Sequence, residues 1–351
     1  MIRLTKSDFR ILRALPRSLN YSEISRKAGF SQPYVSGRIR NMRTKFDFVF
    51  RVDFWSMSLQ PLLIISEYSE TFVARAKKEG FQYVYTVEVA YKSLEKLLLV
   101  DILAPRDEAD EIVESLGLKV REVLRKRYEV MWRPDKSDLV ELVDGKLVVR
   151  IDKLSEVYEK CEEYREAERR VVQADKIDML ILWKKMEHPF LPLASIGRKL
   201  GISQQLVSYH FRHHVLGQWI YNGVRVKAYE KIAPTFLVKV DVSSSSAALR
   251  LLELAMKIPY VQKAFTTYDN PKSVYVFFAA PCDKYKELLS RAAEIGDLTG
   301  LSIVALVDTE SRIKGKYPWG NAEIPPPGFL TKRRVRRERV RASGKKGLNE
   351  L

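Results

Sequence analysis

Cysteine is nearly missing from this 351-residue chain, with Cys161 and Cys282 the only two. Two thiols supply neither a disulfide framework nor a zinc ribbon, so stability must come from buried cores, which a chain of this length can build. A reducing cytoplasm is the expected compartment. Long apolar runs are also missing. The most extended, Val274 to Pro281, has the length of a strand, and Met1 to Asp8 contains no apolar core of signal-peptide length. A soluble, non-exported protein with no membrane association is expected. The chain has no Gly-rich phosphate loop, no Gly-x-Ser-x-Gly and no His-Glu-x-x-His. Carboxylate pairs such as Glu162-Glu163 fall on a solvated helix face. The expectation is a protein that is not an enzyme, with no cofactor and no metal.

With 46% apolar and 30% charged residues, disorder and collagen-like structure are excluded. The net charge of +17 is unevenly placed. Residues 1–51 carry twelve Lys/Arg against three acids, residues 175–231 nine against four, and the tail 331–351 nine against two. The remainder carries 31 basic and 35 acidic residues. Three positive islands on a nearly neutral scaffold point to a polyanionic partner, with nucleic acid the commonest.

Two of these islands contain an internal repeat. Ile24 to Arg40 lies on Ile196 to Arg212 without a gap, and nine of the seventeen columns are identical. The shared string is Arg-Lys-x-Gly-x-Ser-Gln-x-x-Val-Ser. Two unrelated amphipathic helices would share apolar positions but not these polar ones. Each copy predicts a first helix (Asp8–Leu15, Asp178–Met186) and a second (Ser22–Ala28, Ala194–Leu200) stopped by Gly29 or Gly201. A third helix follows, capped by Ser31 or Ser203, with Pro33 in the first turn of copy one. On it Val35, Ile39 and Met42, or Val207, Phe211 and His214, form the core side. Gln32, Ser36 and Arg40, or Gln204, Ser208 and Arg212, form the polar side.

This is the layout of a helix-turn-helix whose third helix enters a major groove. The candidate DNA contacts in copy one are Arg26, Lys27, Ser31, Gln32, Ser36, Gly37, Arg38 and Arg40. In copy two they are Arg198, Lys199, Ser203, Gln204, Gln205, Ser208, Tyr209, Arg212 and His213. After copy two, Asn222-Gly223 between alternating runs predicts a hairpin wing presenting Arg225 and Lys227. The counterpart in copy one, Phe46 to Phe54, is less distinct. His210, His213 and His214 share one or two helical turns, a spacing at which a metal site is conceivable. The alignment favours another reading. His214 matches core Met42, while His210 and His213 match Arg38 and Asn41 on a phosphate-facing flank.

Behind each reader the pattern predicts a strand-helix-strand-strand-helix-strand unit, the ferredoxin-like βαββαβ arrangement. In the first unit the elements are 62–68, 71–78, 81–89, 97–103, 107–116 and 118–130. In the second they are 235–242, 247–256, 260–268, 273–280, 283–295 and 301–307. Between the halves, Asp144-Gly145 signals a hairpin and residues 152–172 an amphipathic helix with Leu154, Val157, Tyr158, Cys161 and Tyr164 on one stripe, a linker packed on a neighbour or, as the alternative, a coiled-coil dimer. Pro325-Pro326-Pro327-Gly328 ends the folded part. Lys332, Arg333, Arg334, Arg336 and Arg337 lie in a tail expected to be disordered alone and able to track phosphates.

The fold class expected is α+β, with two winged helix-turn-helix domains (1–54, 175–231) alternating with two ferredoxin-like domains (55–133, 232–323). Residues 134–174 link the halves, and 324–351 form the tail.

Asp8-Phe9-Arg10-Ile11-Leu12 and the Ile-x-Arg-Lys-x-Gly-x-Ser-x-x-x-Val-Ser string resemble the reader of the leucine-responsive (Lrp/AsnC) family of prokaryotic transcription regulators. The resemblance covers roughly residues 5–130 and 175–310. It is specific for the readers and loose for the effector domains, where Tyr268-Asp269 partly matches the family pattern and Glu88-Val89-Ala90-Tyr91 does not. It implies double-stranded DNA as partner, an effector such as an amino acid, and oligomerisation through the ferredoxin-like domains. The tandem arrangement in one chain departs from the family's single unit. The resulting expectation is a sequence-specific transcription regulator, an intrachain pseudo-dimer with two unlike readers. The alternative is an architectural DNA-coating protein, or an RNA or ribosome binder, without sequence choice.

Overall fold

The computed structural model describes residues 2–81 and 83–315. The chain opens with three helices, α1 (Lys6–Ala14), α2 (Tyr21–Ala28) and α3 (Gln32–Met42). A capping box starts α1, with Thr5 Oγ1 accepting from Asp8 N while the Asp8 carboxylate accepts from Thr5 N. Gly29, at φ 72°, stops α2 in the left-handed region. Ile11, Leu12, Leu15, Ile24, Val35 and Ile39 close the space between the helices and are fully buried.

The second copy repeats the helix order as α7 (Lys176–Glu187), α8 (Leu193–Leu200) and α9 (Gln204–His210), and shares the capping box and the glycine stop, but the expected Ser31 cap of α3 makes no side-chain bond. Asp175 and Asp178 form the capping box, and Gly201 at φ 67° ends α8. Ser203 Oγ accepts from Leu206 N. A π-helical turn, Phe211–Val215, continues α9.

The expected wing is not a hairpin. Trp219–Arg225 is one continuous strand, β8, antiparallel to β1 (Asp47–Val52) of the first half, with Val49 opposite Gly223 and Phe50 opposite Asn222. Asn222 does not turn the chain because its amide is committed elsewhere. It is 1% exposed and donates to Leu15 O (3.1 Å) and Ser18 O (2.5 Å), carbonyls beyond the end of α1. Gly223 is required by close packing, since a Cβ there would stand 2.9 Å from Met131 Cβ. The two halves are therefore tied by a strand from each, and α10 (Lys227–Glu230) leads away.

The remaining strands are β2 (Leu59–Glu67), β3 (Val84–Lys92), β4 (Glu95–Pro105) and β5 (Val120–Val130), with α4 (Glu70–Lys78) and α5 (Ala109–Ser115) between them. Their counterparts are β9 (Thr235–Val242), β10 (Val261–Thr267), β11 (Ser273–Phe278) and β12 (Leu298–Lys314), with α11 (Ser245–Ala255) and α12 (Tyr285–Ala293). Each set is ordered as a ferredoxin-like sheet, β5-β2-β4-β3 and β10-β11-β9-β12.

The two sheets are not separate domains. β12 pairs with β3 and β10 with β5, closing one eight-stranded barrel. Closure leaves no open sheet edge in this set of strands. Alternation along β2 shows the two faces: Leu62 and Ile64 pack with Phe72, Val73 and Ile112 of α4 and α5. Leu63 and Ile65 join Leu237, Phe265 and Phe277 from the other half in a shared interior.

Between the halves, Asp144 and Gly145 (φ 48° and 70°) join β6 (Val140–Val143) to β7 (Lys146–Val149). The linker helix is shorter than its apolar stripe suggested, and α6 spans only Leu154–Glu159. Beyond it the chain runs without regular structure to Asp175. Its backbone bonds go to other elements, Tyr164 N to Leu249 O and Val172 N to Ser56 O. All five stripe residues are nonetheless buried. Among the described residues, no helix is long and apolar enough to cross a membrane.

Candidate nucleic-acid interface and adjoining cavity

In α3 the apolar side is turned inward, and Ser31, Gln32 and Arg40 are exposed with Ser36 and Gly37 half-buried. Arg26 and Lys27 are exposed in the last turn of α2. In the second copy Arg198, Lys199, Ser203, Gln204, Gln205, Tyr209, Arg212 and His213 are exposed, and Ser208 is half-buried. Gln32 Oε1 accepts from Ser22 Oγ at 2.9 Å.

Three expected contacts are held by carboxylates inside the protein instead, and a fourth, Lys27, donates to Arg17 O. Arg38 grips the buried Asp8 carboxylate through Nε (2.7 Å) and Nη2 (2.5 Å). Arg225 pairs with Asp47, and Lys227 Nζ lies 3.1 Å from Asp47 Oδ1 and donates to Arg43 O at 2.5 Å. Without a hairpin, the end of β8 and the start of α10 bring Arg225 and Lys227 onto Asp47 of β1. Burial pushes the Asp47 carboxyl up, but Arg225 and Lys227 outweigh it and hold the group below its ordinary value. Lys332, Arg333, Arg334, Arg336 and Arg337 lie outside the described residues.

The two capping-box carboxylates have unlike partners. In copy one, burial raises the Asp8 pKa, but hydrogen bonds from Arg38 and Thr5 bring the net shift below the ordinary value. In copy two, His210 replaces Arg38 and is 7% exposed, turned inward rather than toward a phosphate-facing flank. Its Nδ1 stands 2.9 Å from Asp178 Oδ1, and His214 Nδ1 stands 3.0 and 2.9 Å from Asp178 Oδ1 and Oδ2. Asp178 is fully buried, and that burial leaves its carboxyl above the ordinary value. The two histidines share a carboxylate partner, Asp178, 32 residues before His210 in sequence. The repeated capping-box spacing, Thr5-x-x-Asp8 and Asp175-x-x-Asp178, was the signal that could have found it.

A cavity of about 460 Å³ lies between β1, β8, α7 and the barrel. Phe50, Phe54, Tyr85, Trp183 and Phe277 contribute aromatic wall, and a chain of buried ion pairs crosses the floor. Lys126 holds Asp101 and also Glu129 (2.9 Å), Lys263 holds Asp101, and Arg51 Nη1 holds Glu129 at 2.6 Å. Arg312 bridges Glu88 (2.5 Å) and Glu230 (3.3 Å). Burial opposes ionisation of Glu129, but Lys126 and Arg51 prevail and bring its pKa to about 2. Asp101 is likewise held well below the ordinary carboxylate range, by Lys126 and Lys263 against burial.

Several buried polar atoms on this wall have no hydrogen-bond partner: Gln262 Nε2 and Oε1, Thr235 Oγ1 and Arg51 Nε, whereas Arg225 Nε and Glu230 Oε1 face each other as an ion pair at 3.8 Å. Gln262 is only 3% exposed, and an unpaired buried amide is costly. No sequence motif announced this cavity, because its polar lining is drawn from the two halves of the chain.

No family model matches the sequence. No curated protein matches it. Among solved structures the chain is similar to the siroheme decarboxylase NirDL, at 13% identity over 88% of this chain and 93% of that chain, with a TM-score of 0.44. The same enzyme in co-complex with an iron-uroporphyrin III analogue matches at 11% identity over 89% and 95%, with a TM-score of 0.45. The Mycobacterium tuberculosis leucine response regulatory protein LrpA matches at 18% identity over 36% of this chain and 94% of its own, with a TM-score of 0.24. The expectation that the chain is not an enzyme is corrected by the first of these findings. That match is to an enzyme, and no activity is assigned to this chain from it.

Proposed function

We propose that the chain is a sequence-specific double-stranded DNA-binding regulator that uses α3 and α9 as two unlike readers within one molecule. The observation that carries this reading is the repeated polar face, exposed at Gln32, Arg40, Gln204 and Arg212. Gln32, Ser36 and Arg40 in one copy recur as Gln204, Ser208 and Arg212 in the other, over a buried apolar face that also recurs. A helix needs no such conserved polar column merely to pack; the apolar side does that. Lys and Arg at the ends of α2 and α8 supply phosphate contacts that position without specifying.

The readers differ where it matters for base choice. Pro33 and Gly37 offer almost no donors, whereas Gln205 and Tyr209 at matching positions can hydrogen bond to base edges. The pairing of β1 with β8 supports a fixed relation between the two copies, and half-sites about one helical turn (~34 Å) apart are expected.

Arg40→Ala and Arg212→Ala test the reading by titration of labelled duplex DNA. Each should weaken binding by ~1–3 kcal/mol and relax specificity in one half-site. Unchanged affinity in both variants would overturn it. Equal losses on unrelated sequences would instead favour the architectural alternative, in which the same arginines meet only phosphates.

A second reading, a small-molecule site in the cavity, is favoured by its unpaired buried polar atoms. Gln262 can pair with one donor and one acceptor, and the ion pairs can re-aim toward a carboxylate ligand. Thermal shifts with amino acids and with carboxylated tetrapyrroles, followed by product analysis of any ligand that binds, test it. No shift with either class, or a shift that Gln262→Leu leaves intact, would count against the site.

A further inference from the structure

The duplication provides an internal reference for Asp178. Asp8 and Asp178 both occupy the third position of the first helix in their copy, and both carboxylates bond back to the residue before the helix. In copy one the side chain completing the site is the permanent cation Arg38, and Met42, one turn on, is buried in the core. In copy two those positions hold His210 and His214. Neither imidazole carries a permanent charge. A fully buried carboxylate has therefore exchanged its fixed counter-charge for two ring nitrogens.

The backbone has changed to allow it. Where α3 runs as a regular helix, the matching stretch after His210 is a π turn, Phe211–Val215. With that turn His214 leaves the core position of Met42, becomes half-buried, and brings Nδ1 to Asp178. π turns are rare and concentrate at functional sites. One ligating atom from each of Asp178, His210 and His214 lies within 4.8 Å of the others. Asp175 Oδ2 stands 3.6 Å from His210 Nδ1, a fourth ligand atom at the rim.

We propose that Asp178, His210 and His214 form a binding site for a divalent transition metal ion of the zinc class, with Asp175 closing the coordination. Two imidazoles and one or two carboxylates are a donor set that suits such an ion, at ligand distances of ~2.0–2.2 Å. The observed spacing needs only side-chain adjustment to reach it. The ion supplies the positive charge that Arg38 supplies in copy one. It clamps the start of α7 to the end of α9, so it orders the second three-helix unit. The site stands whether or not that unit binds DNA.

Co²⁺ serves as the probe, added to full-length protein stripped by chelator and desalted. One Co²⁺ per chain should be retained with the strong ligand-field bands of a low-coordinate site, and the melting temperature should rise on loading. The double variant His210→Arg/His214→Met restores the residues of copy one, so it is expected to fold; it should show neither the bands nor the rise. His213→Ala, which leaves all four ligands in place, should keep both. Absence of retained Co²⁺ in the unmodified protein overturns the proposal. Equal uptake in the double variant, or loss of uptake in His213→Ala, overturns it too.

Discussion

Glu129 sits between Lys126 and Arg51, with Asp101 and Lys263 completing the row. Both carboxyls have pKa values depressed in the folded state, so their contribution to stability is full above the ordinary carboxylate range, near pH 4. It is lost as pH falls from there toward about 2. Urea midpoints should drop across that window. Glu129→Gln should flatten the drop and cost about 3–5 kcal/mol at neutral pH, because Arg51 and Lys126 would be left short of a buried counter-charge. A variant as stable as the parent, with the same acid sensitivity, would contradict the burial assigned to this row. Asn222 makes a second residue-scale test. Its amide satisfies two buried carbonyls, so Asn222→Ala should cost ~1–3 kcal/mol in chemical denaturation. Legibility at this scale was uneven. The exposure of Arg40 and Arg212 could be read from helical spacing, whereas Arg38, Arg225 and Lys227 could not. Each of these three is claimed by a carboxylate on another element, and spacing within one element carries no information about such partners.

Glycine positions in the paired helices separate element-scale causes. Gly37 lies inside α3 with open space where a Cβ would go, so Gly37→Ala should raise stability by ~0.5–1 kcal/mol through helix propensity. A Cβ at Gly197 in α8 would meet Ile202 O at 2.8 Å, so Gly197→Ala should lower stability by ~1–3 kcal/mol. Melting curves of the two variants shifting in the same direction would contradict this packing. The helices and their stops were legible because caps and glycines act locally. Hairpin signals depended on what else the chain offered. Asp144-Gly145 turns the chain between β6 and β7, both residues at positive φ. Asn222-Gly223 carries the same kind of signal yet lies mid-strand, since two carbonyls near the end of α1 and Met131 take up its side of the sheet. The linker stripe over 154–164 was read correctly as buried but wrongly as continuous helix, because Tyr164 finds its backbone partner on α11.

At the scale of the whole molecule, the order of strands was legible and their closure was not. Periodicity reports which face of a strand is buried, and β2 shows both faces buried by different partners. It does not report that β3 and β5 find edges in the other half of the chain. That closure, with the β1–β8 pair, holds the two three-helix units in one frame. On the proposed reading, two positive islands on one frame let the chain address two neighbouring DNA sites together. The most direct measurement is selection from random double-stranded DNA by the full-length protein at ~0.15 M salt, where nonspecific contacts are screened. Enrichment of two unlike short motifs at one fixed spacing is the predicted result. Retention of DNA with no motif, or no retention at all, would contradict the account.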